Sequence, residues 1–416
     1  MFDNVLHQSA TSLLEEDIQN DRLPGSILFS GPEASGKFTC ALELARVLSC
    51  TASPRGAWNC TCSSCLKHKA LTGQNLLVAG PGNRTLEIDA ARTTLLSENA
   101  RNTSHVEASR YLYLRAVRKL TLRFSPILWQ DDDKLQKFSP LLQAIDEDLE
   151  VLNPGRTIPD GDELVKILDD VEKQCVKLES SFLYDSLPVL QIRNISSWAH
   201  MSSTAGKKVI VIENADCMAE SARNALLKIL EEPPEDAMFI LTTTRRGAIL
   251  PTILSRVRTY AFFNRSTEHQ QEVINRVFHY NPVISGAPIP DTINAFLQSY
   301  LPVSPDTVKA NAGIYFKTSM EGHVPDIPAI VKVCGGFEPR ELFRIFIRAI
   351  IEEQRSLLGS EKGCEASEKI ISHLRTAWNN VSIFNQSPAA ALEELVRSLM
   401  QTNMIYGGLF KEKEYE

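Results

Sequence analysis

Continuous apolar runs, not alternating ones, mark the strands of this chain. Ser26-Ile27-Leu28-Phe29, Val209-Ile210-Val211-Ile212 and Met238-Phe239-Ile240-Leu241 have the pattern of strands buried on both faces of a parallel sheet. Apolar residues recur at helical spacing from about Lys37 to Leu48, and a second helix is predicted from Ala222 to Glu232. Pro233-Pro234 ends the second, because proline cannot donate the next helical hydrogen bond. Strands alternating with helices predict a parallel α/β domain over residues 1–83 and 187–262.

The intervening residues 84–186 read differently. They carry acidic runs, Asp131-Asp132-Asp133 and Asp146-Glu147-Asp148, a turn signal at Asn153-Pro154-Gly155, and Leu164, Ile167, Leu168 and Val171 on one helical face. This predicts a mostly helical insertion with a mobile centre and a solvated, charged surface. From about residue 264 onward no strand pattern is present, and Gly335-Gly336 marks a boundary between two helical domains. The expected fold class is therefore α/β followed by all-α.

Composition narrows the class. A chain of 416 residues exceeds one ordinary core and implies two to four domains. Its 43% hydrophobic and 23% charged residues exclude wholesale disorder, collagen-like chains and coiled-coil rods. A net charge of −7 implies that any contact with nucleic acid is local or shared with partners. No apolar run approaches the ~18 residues of a membrane span, and the opening residues lack a basic, then apolar, leader. A cytoplasmic protein without membrane contact is expected, in which nine cysteines form no disulfide framework.

Three groups of residues carry candidate chemistry. Gly31-x4-Gly36-Lys37 follows a strand and opens a helix, the context of a phosphate loop. Glycines let backbone amides converge on phosphate, and Lys37 reaches the outer phosphates. The magnesium-binding hydroxyl expected next is replaced by Phe38, while Thr39 lies ~100° further round the helix. At the other side of such a site, the strand ending in Ile212 runs into Glu213-Asn214. Glu213 retains a carboxylate for a metal, but Asn214 cannot take a proton from water. Both defects predict a nucleotide site with impaired hydrolysis. Third, Cys50-x9-Cys60-x-Cys62-x2-Cys65 supplies four thiolates for a structural zinc ion, with His68 as the substitute for one of them. Arg115, Arg118, Lys119 and Arg123 share one helical face, fit for solvent or for DNA phosphates.

Together these segments resemble the delta-prime subunits of the bacterial DNA polymerase III clamp loader. The resemblance rests on Phe2-Asp3-Asn4-Val5-Leu6-His7-Gln8, the degenerate phosphate loop, the cysteine cluster, and Asn224-Ala225-Leu226-Leu227-Lys228-Ile229-Leu230-Glu231-Glu232-Pro233-Pro234. Phe239-Ile240-Leu241-Thr242-Thr243-Thr244 is similar to the sensor 1 strand, and Ile253-Leu254-Ser255-Arg256 to the Ser-Arg-Cys element, with Val257 in place of its cysteine. The resemblance implies an AAA+ P-loop domain over 1–263 with a zinc lobe at 50–68 and a helical insertion, atypical of the family, at about 84–186. A small helical lid at 264–335 and a helical collar at 336–416 follow.

It further implies a degenerate nucleotide site of Gly31, Gly36, Lys37, Thr39, Glu213 and Thr243, with ATP and Mg²⁺ uncertain. Arg256 becomes a finger reaching a neighbour's ATP. The expected partners are the delta subunit and three motor subunits in a hetero-pentamer, with the sliding clamp and primed DNA met through that complex. Competing readings are an active ATPase, either a loader motor or a repair-associated AAA+ enzyme, and a zinc-bearing nucleic-acid-binding module.

Overall fold

The computed structural model describes residues 1–202, 206–282, 286–382 and 386–406. They fall into two compact units, Met1–Leu297 and Gln298–Glu416.

The first unit is built on a five-stranded sheet: β1 (Ser26–Ser30), β2 (Leu76–Ala79), β3 (Lys208–Ile212), β4 (Ala237–Thr243) and β5 (Arg258–Ala261). The strand order is β2-β3-β4-β1-β5 and every pairing is parallel. The three central strands are those with continuous apolar runs. The two edges, β2 and β5, go beyond the three strands expected from the sequence. Each has only four residues, and β5 mixes exposed with buried positions, a weak signal for any pattern-based reading.

Alternation along each strand divides the interior into two cores. Ile27, Phe29, Val209, Val211, Met238 and Ile240 face the helices Ala10–Gln19 and Lys37–Ser49. Leu28, Ile210, Ile212, Phe239 and Leu241 face the opposite side, with the helices Val189–His200 and Glu220–Glu231 and the 84–186 segment.

That segment forms four helices, Thr85–Ala100, Val106–Thr121, Leu135–Val151 and Gly161–Phe182. Its centre, where the acidic run suggests mobility, is packed. Trp129 stacks on Tyr184 at 5.0 Å and meets Phe138 edge-on at 4.9 Å, with Phe124 at 5.7 Å. The indole N–H donates to the Arg123 carbonyl at 2.7 Å. Aromatic residues flanking Asp131–Asp133 carry enough apolar area to order the turn between them.

In the second unit the described residues form helices and no strand. Gly335-Gly336 lies inside it, and the adjoining Phe337 is buried between Phe343 and Phe346 at 5.2 Å from each. Tyr315 donates its hydroxyl to the Leu392 carbonyl at 2.6 Å. No helix among the described residues is long and apolar enough to cross a membrane.

Candidate functional site

β1 leads into the glycine loop, and the helix Lys37–Ser49 leaves it. Gly31 is required by close approach, since a Cβ there would lie 2.3 Å from the Phe262 carbonyl oxygen. Gly36 takes a φ of +92°, open to glycine. The Lys37 ammonium does not point away from this loop. It folds back to donate to the carbonyls of Gly31, at 2.7 Å, and Pro32, and lies 3.3 Å from Ser35 Oγ. Burial lowers its pKa to about 8, against the opposing pull of Glu213. Arg265 covers the outside of the loop, donating to the carbonyls of Leu6 at 3.0 Å and Ala34 at 2.8 Å. Thr39 is half-buried on the helix beyond Phe38.

At the tip of β3 the Glu213 carboxylate is enclosed by two arginines from the helical segment. Arg84 Nη2 reaches both of its oxygens, at 2.7 and 2.6 Å, and Arg123 donates to one of them. The Phe38 ring lies beneath both guanidinium groups, 4.8 Å from Arg84 and 5.3 Å from Arg123, a cation–π arrangement. Burial alone would raise the Glu213 pKa; Arg84 and then Arg123 outweigh it and hold the carboxyl below its ordinary range. Arg123 is 2% exposed, with its Nε on the Gly80 carbonyl at 3.2 Å.

The basic face of residues 115–123 is therefore neither solvated nor directed at DNA. Arg115 and Arg118 donate to the carbonyls of Lys69 and Ala70, both at 2.8 Å, and Lys119 pairs with Glu87. His68, Lys69 and Ala70 end the short helix Ser63–Lys69, where unpaired carbonyls and the helix dipole attract cations.

Asn214 sits in a left-handed turn with φ 50° and donates its amide to the Pro81 carbonyl at 2.9 Å. Thr243, fully buried, donates to Asp216 at 2.7 Å, and Arg245 Nε donates to the same carboxylate at 2.9 Å. Lys37, Glu213 and Thr243 thus converge around one end of the sheet. Arg84, Asp216 and Arg245 join them without having been expected from the sequence. Nothing local to Arg84 announces its role, because its partner is 129 positions away.

The four cysteines come together. Cys50 closes the helix Lys37–Ser49, Cys62 caps the helix Ser63–Lys69, and Cys65 lies within it. All four sulfurs lie within 4.8 Å of one another, with Cys50 and Cys60 at 3.7 Å. Tetrahedral zinc with ~2.3 Å bonds separates its sulfurs by about 3.8 Å, so the donor set fits the ion. His68 is not part of the group. It is buried, its pKa is lowered to about 4 by that burial, and its Nδ1 has no hydrogen-bond partner. The backbone amides of Cys65 and Thr51 bring the Cys62 thiol down to about 5.

Arg256 follows the short helix Pro251–Leu254 and is separate from these groups. It donates to the Thr252 carbonyl at 2.6 Å and pairs with Glu231 at 2.5 Å, with its side chain 30% exposed. Glu231 ends the helix Glu220–Glu231, so the two most family-like segments of the sequence touch through this pair. Val257 is buried in the core, an apolar replacement for the element's cysteine.

A family model described as DNA polymerase III, delta subunit, matches residues 6–123 and 144–266, more than half of the chain. Over 56 residues the chain is 46% identical to DNA polymerase III subunit delta' of Bacillus subtilis, covering 14% of this chain and 17% of that protein. Over 99 residues it is 30% identical to subunit delta' of Buchnera aphidicola, covering 24% and 29%. A 55-residue stretch is 46% identical to subunit gamma/tau of Mycobacterium tuberculosis, 13% of this chain and 10% of that one. These alignments each span less than a third of the relative's length. A solved gamma subunit-related protein from Thermotoga maritima is 19% identical over 52% of this chain and 80% of its own, with a TM-score of 0.25.

Proposed function

The chain belongs to the DNA polymerase III delta-prime clamp-loader family, and from that membership we infer that it is the non-hydrolysing, or weakly hydrolysing, stator of a replicative clamp loader. In this reading Arg256 projects into the ATP site of a neighbouring motor subunit while the sliding clamp is loaded onto primed DNA. The partners are the delta subunit and the motor subunits of a hetero-pentamer. Residues 1–263 form the AAA+ domain, 264–335 the lid and 336–416 the collar. Cys50, Cys60, Cys62 and Cys65 hold a structural Zn²⁺.

One observation carries the reading: the groups that would handle a phosphoryl transfer are engaged inside the protein, while Arg256 stands near the surface. Lys37 is turned onto its own loop and Glu213 is neutralised by Arg84 and Arg123. Phe38 offers no oxygen for magnesium, and Asn214 no base for water. A guanidinium at a partner's γ-phosphate, by contrast, needs to leave only the half-exposed Glu231 and the Thr252 carbonyl.

The test is a reconstituted loader carrying Arg256→Ala. Assembly is expected to persist while clamp-stimulated ATP turnover at the neighbouring motor subunit's site falls roughly 10³-fold, the lower end of what a trans arginine contributes in GTPases. Unchanged turnover rejects the finger. The alternative, an active ATPase, draws on the retained Lys37 and Glu213. Turnover of about 1 s⁻¹ or more by the purified chain alone would replace the stator reading with it.

A further inference from the structure

Arg46 is the least exposed charged side chain of the first unit, at 0%, and each of its nitrogens donates within the protein. Nε donates to Glu43 at 2.7 Å, Nη1 to the Ala57 carbonyl at 3.1 Å and to the Cys65 sulfur at 3.5 Å, and Nη2 to the carbonyls of Met1 at 2.9 Å and Gly56 at 3.3 Å. Arginine is almost never buried this completely without charge compensation.

The compensation from protein carboxylates is insufficient. Glu43, itself buried, is shared between Arg46 and Arg115, whose Nη2 approaches it at 3.4 Å. Glu43 thus does not belong to Arg46 alone, and the Arg46 guanidinium, which lies against the Cys65 sulfur, is left incompletely compensated. Four protonated thiols would leave it unbalanced. Four thiolates around a divalent ion carry a net charge of −2, and this cation then becomes favourable. We propose that Arg46 is the buried counter-charge of the four-cysteine metal site, a positioning residue that donates to the Cys65 sulfur, with Glu43 moderating its charge.

The charge logic separates this role from packing. Replacing Arg46 removes positive charge near the thiolates, whereas replacing Glu43 adds to it. A residue that merely braced the lobe would give the same sign for both changes, since each loses a buried hydrogen bond. The experiment loads the full chain with Zn²⁺ and follows its release to a colorimetric chelator for wild type, Arg46→Met, Arg46→Lys and Glu43→Gln. Cobalt titration in parallel reads the thiolate charge-transfer bands.

Arg46→Met is expected to weaken metal retention ~10–100-fold, the usual effect of losing an outer-shell partner, and Arg46→Lys to recover part of it. Glu43→Gln is expected to retain zinc at least as well as wild type while its Tm falls. Wild-type release from folded Arg46→Met overturns the proposal, as does faster release from Glu43→Gln. Should Arg46→Met fail to fold, Arg46→Lys and Glu43→Gln decide: the charge-preserving lysine must release zinc no more than ~10-fold faster than wild type, and Glu43→Gln no faster.

Discussion

In the nucleotide-site reading Phe38 stands where a magnesium-binding hydroxyl is expected, and its ring instead provides an apolar, π-rich floor for two arginines. Asp89 illustrates the opposite situation, a charge without enough support. Burial raises its pKa to about 7, with Glu172 adding to the effect, and its Oδ1 has no hydrogen-bond partner. The ordinary value is ~3.9, so the folded protein prefers the neutral acid. Its contribution to stability is full below pH ~4 and is lost as pH rises through about 7. Asp89→Asn is expected to leave stability unchanged near pH 4 and to raise it by up to ~4 kcal/mol at pH 8, read from urea unfolding at the two pH values.

At the scale of elements, the helix Val106–Thr121 and the turn after it act as a strap between two candidate sites. Arg115 and Arg118 hold the end of the cysteine-bearing helix, and Arg123 closes over Glu213. Trp129 anchors the turn from below by donating to the Arg123 carbonyl. Arg123→Met should leave Glu213 buried with Arg84 alone and lower stability by ~3 kcal/mol, the lower end for one lost partner of a buried pair. Trp129→Ala should cost ~3–5 kcal/mol through its cavity. Both are measured as a lowered denaturant midpoint at constant m. The strap also shows why the basic residues were illegible. Helical spacing places them correctly on one face, but only packing reveals that the face meets carbonyls at a helix end.

For the whole molecule, the stator reading separates two functions that an ATPase combines. Lys37 is turned onto the carbonyls of its own loop, and in that reading Arg256 is left for a neighbour. Millimolar Mg-ATP is therefore expected not to shift the Tm of the purified chain. A ligand bound at a hundred times its Kd would add ~2.7 kcal/mol, which calorimetry would register as a clear upward shift. A shift of that size would show that the loop still binds nucleotide, which turnover by the purified chain then separates from hydrolysis; the metal-site proposal is untouched, because its test is independent of nucleotide.

The sequence alone determined the central strands, because Val209–Ile212 and Met238–Leu241 are apolar throughout and only a sheet covered on both faces buries such runs. It also determined the four-cysteine set and the absence of a hydroxyl at Phe38 and of a carboxylate at Asn214, since these are matters of residue type at short spacing. Tertiary structure decided what encloses Glu213 and what faces the cysteines. Arg84, Arg123 and Glu213 are far apart in the chain, as are Met1, Arg46 and Cys65. Buried charges must find partners wherever the fold places them, and no local pattern specifies that choice.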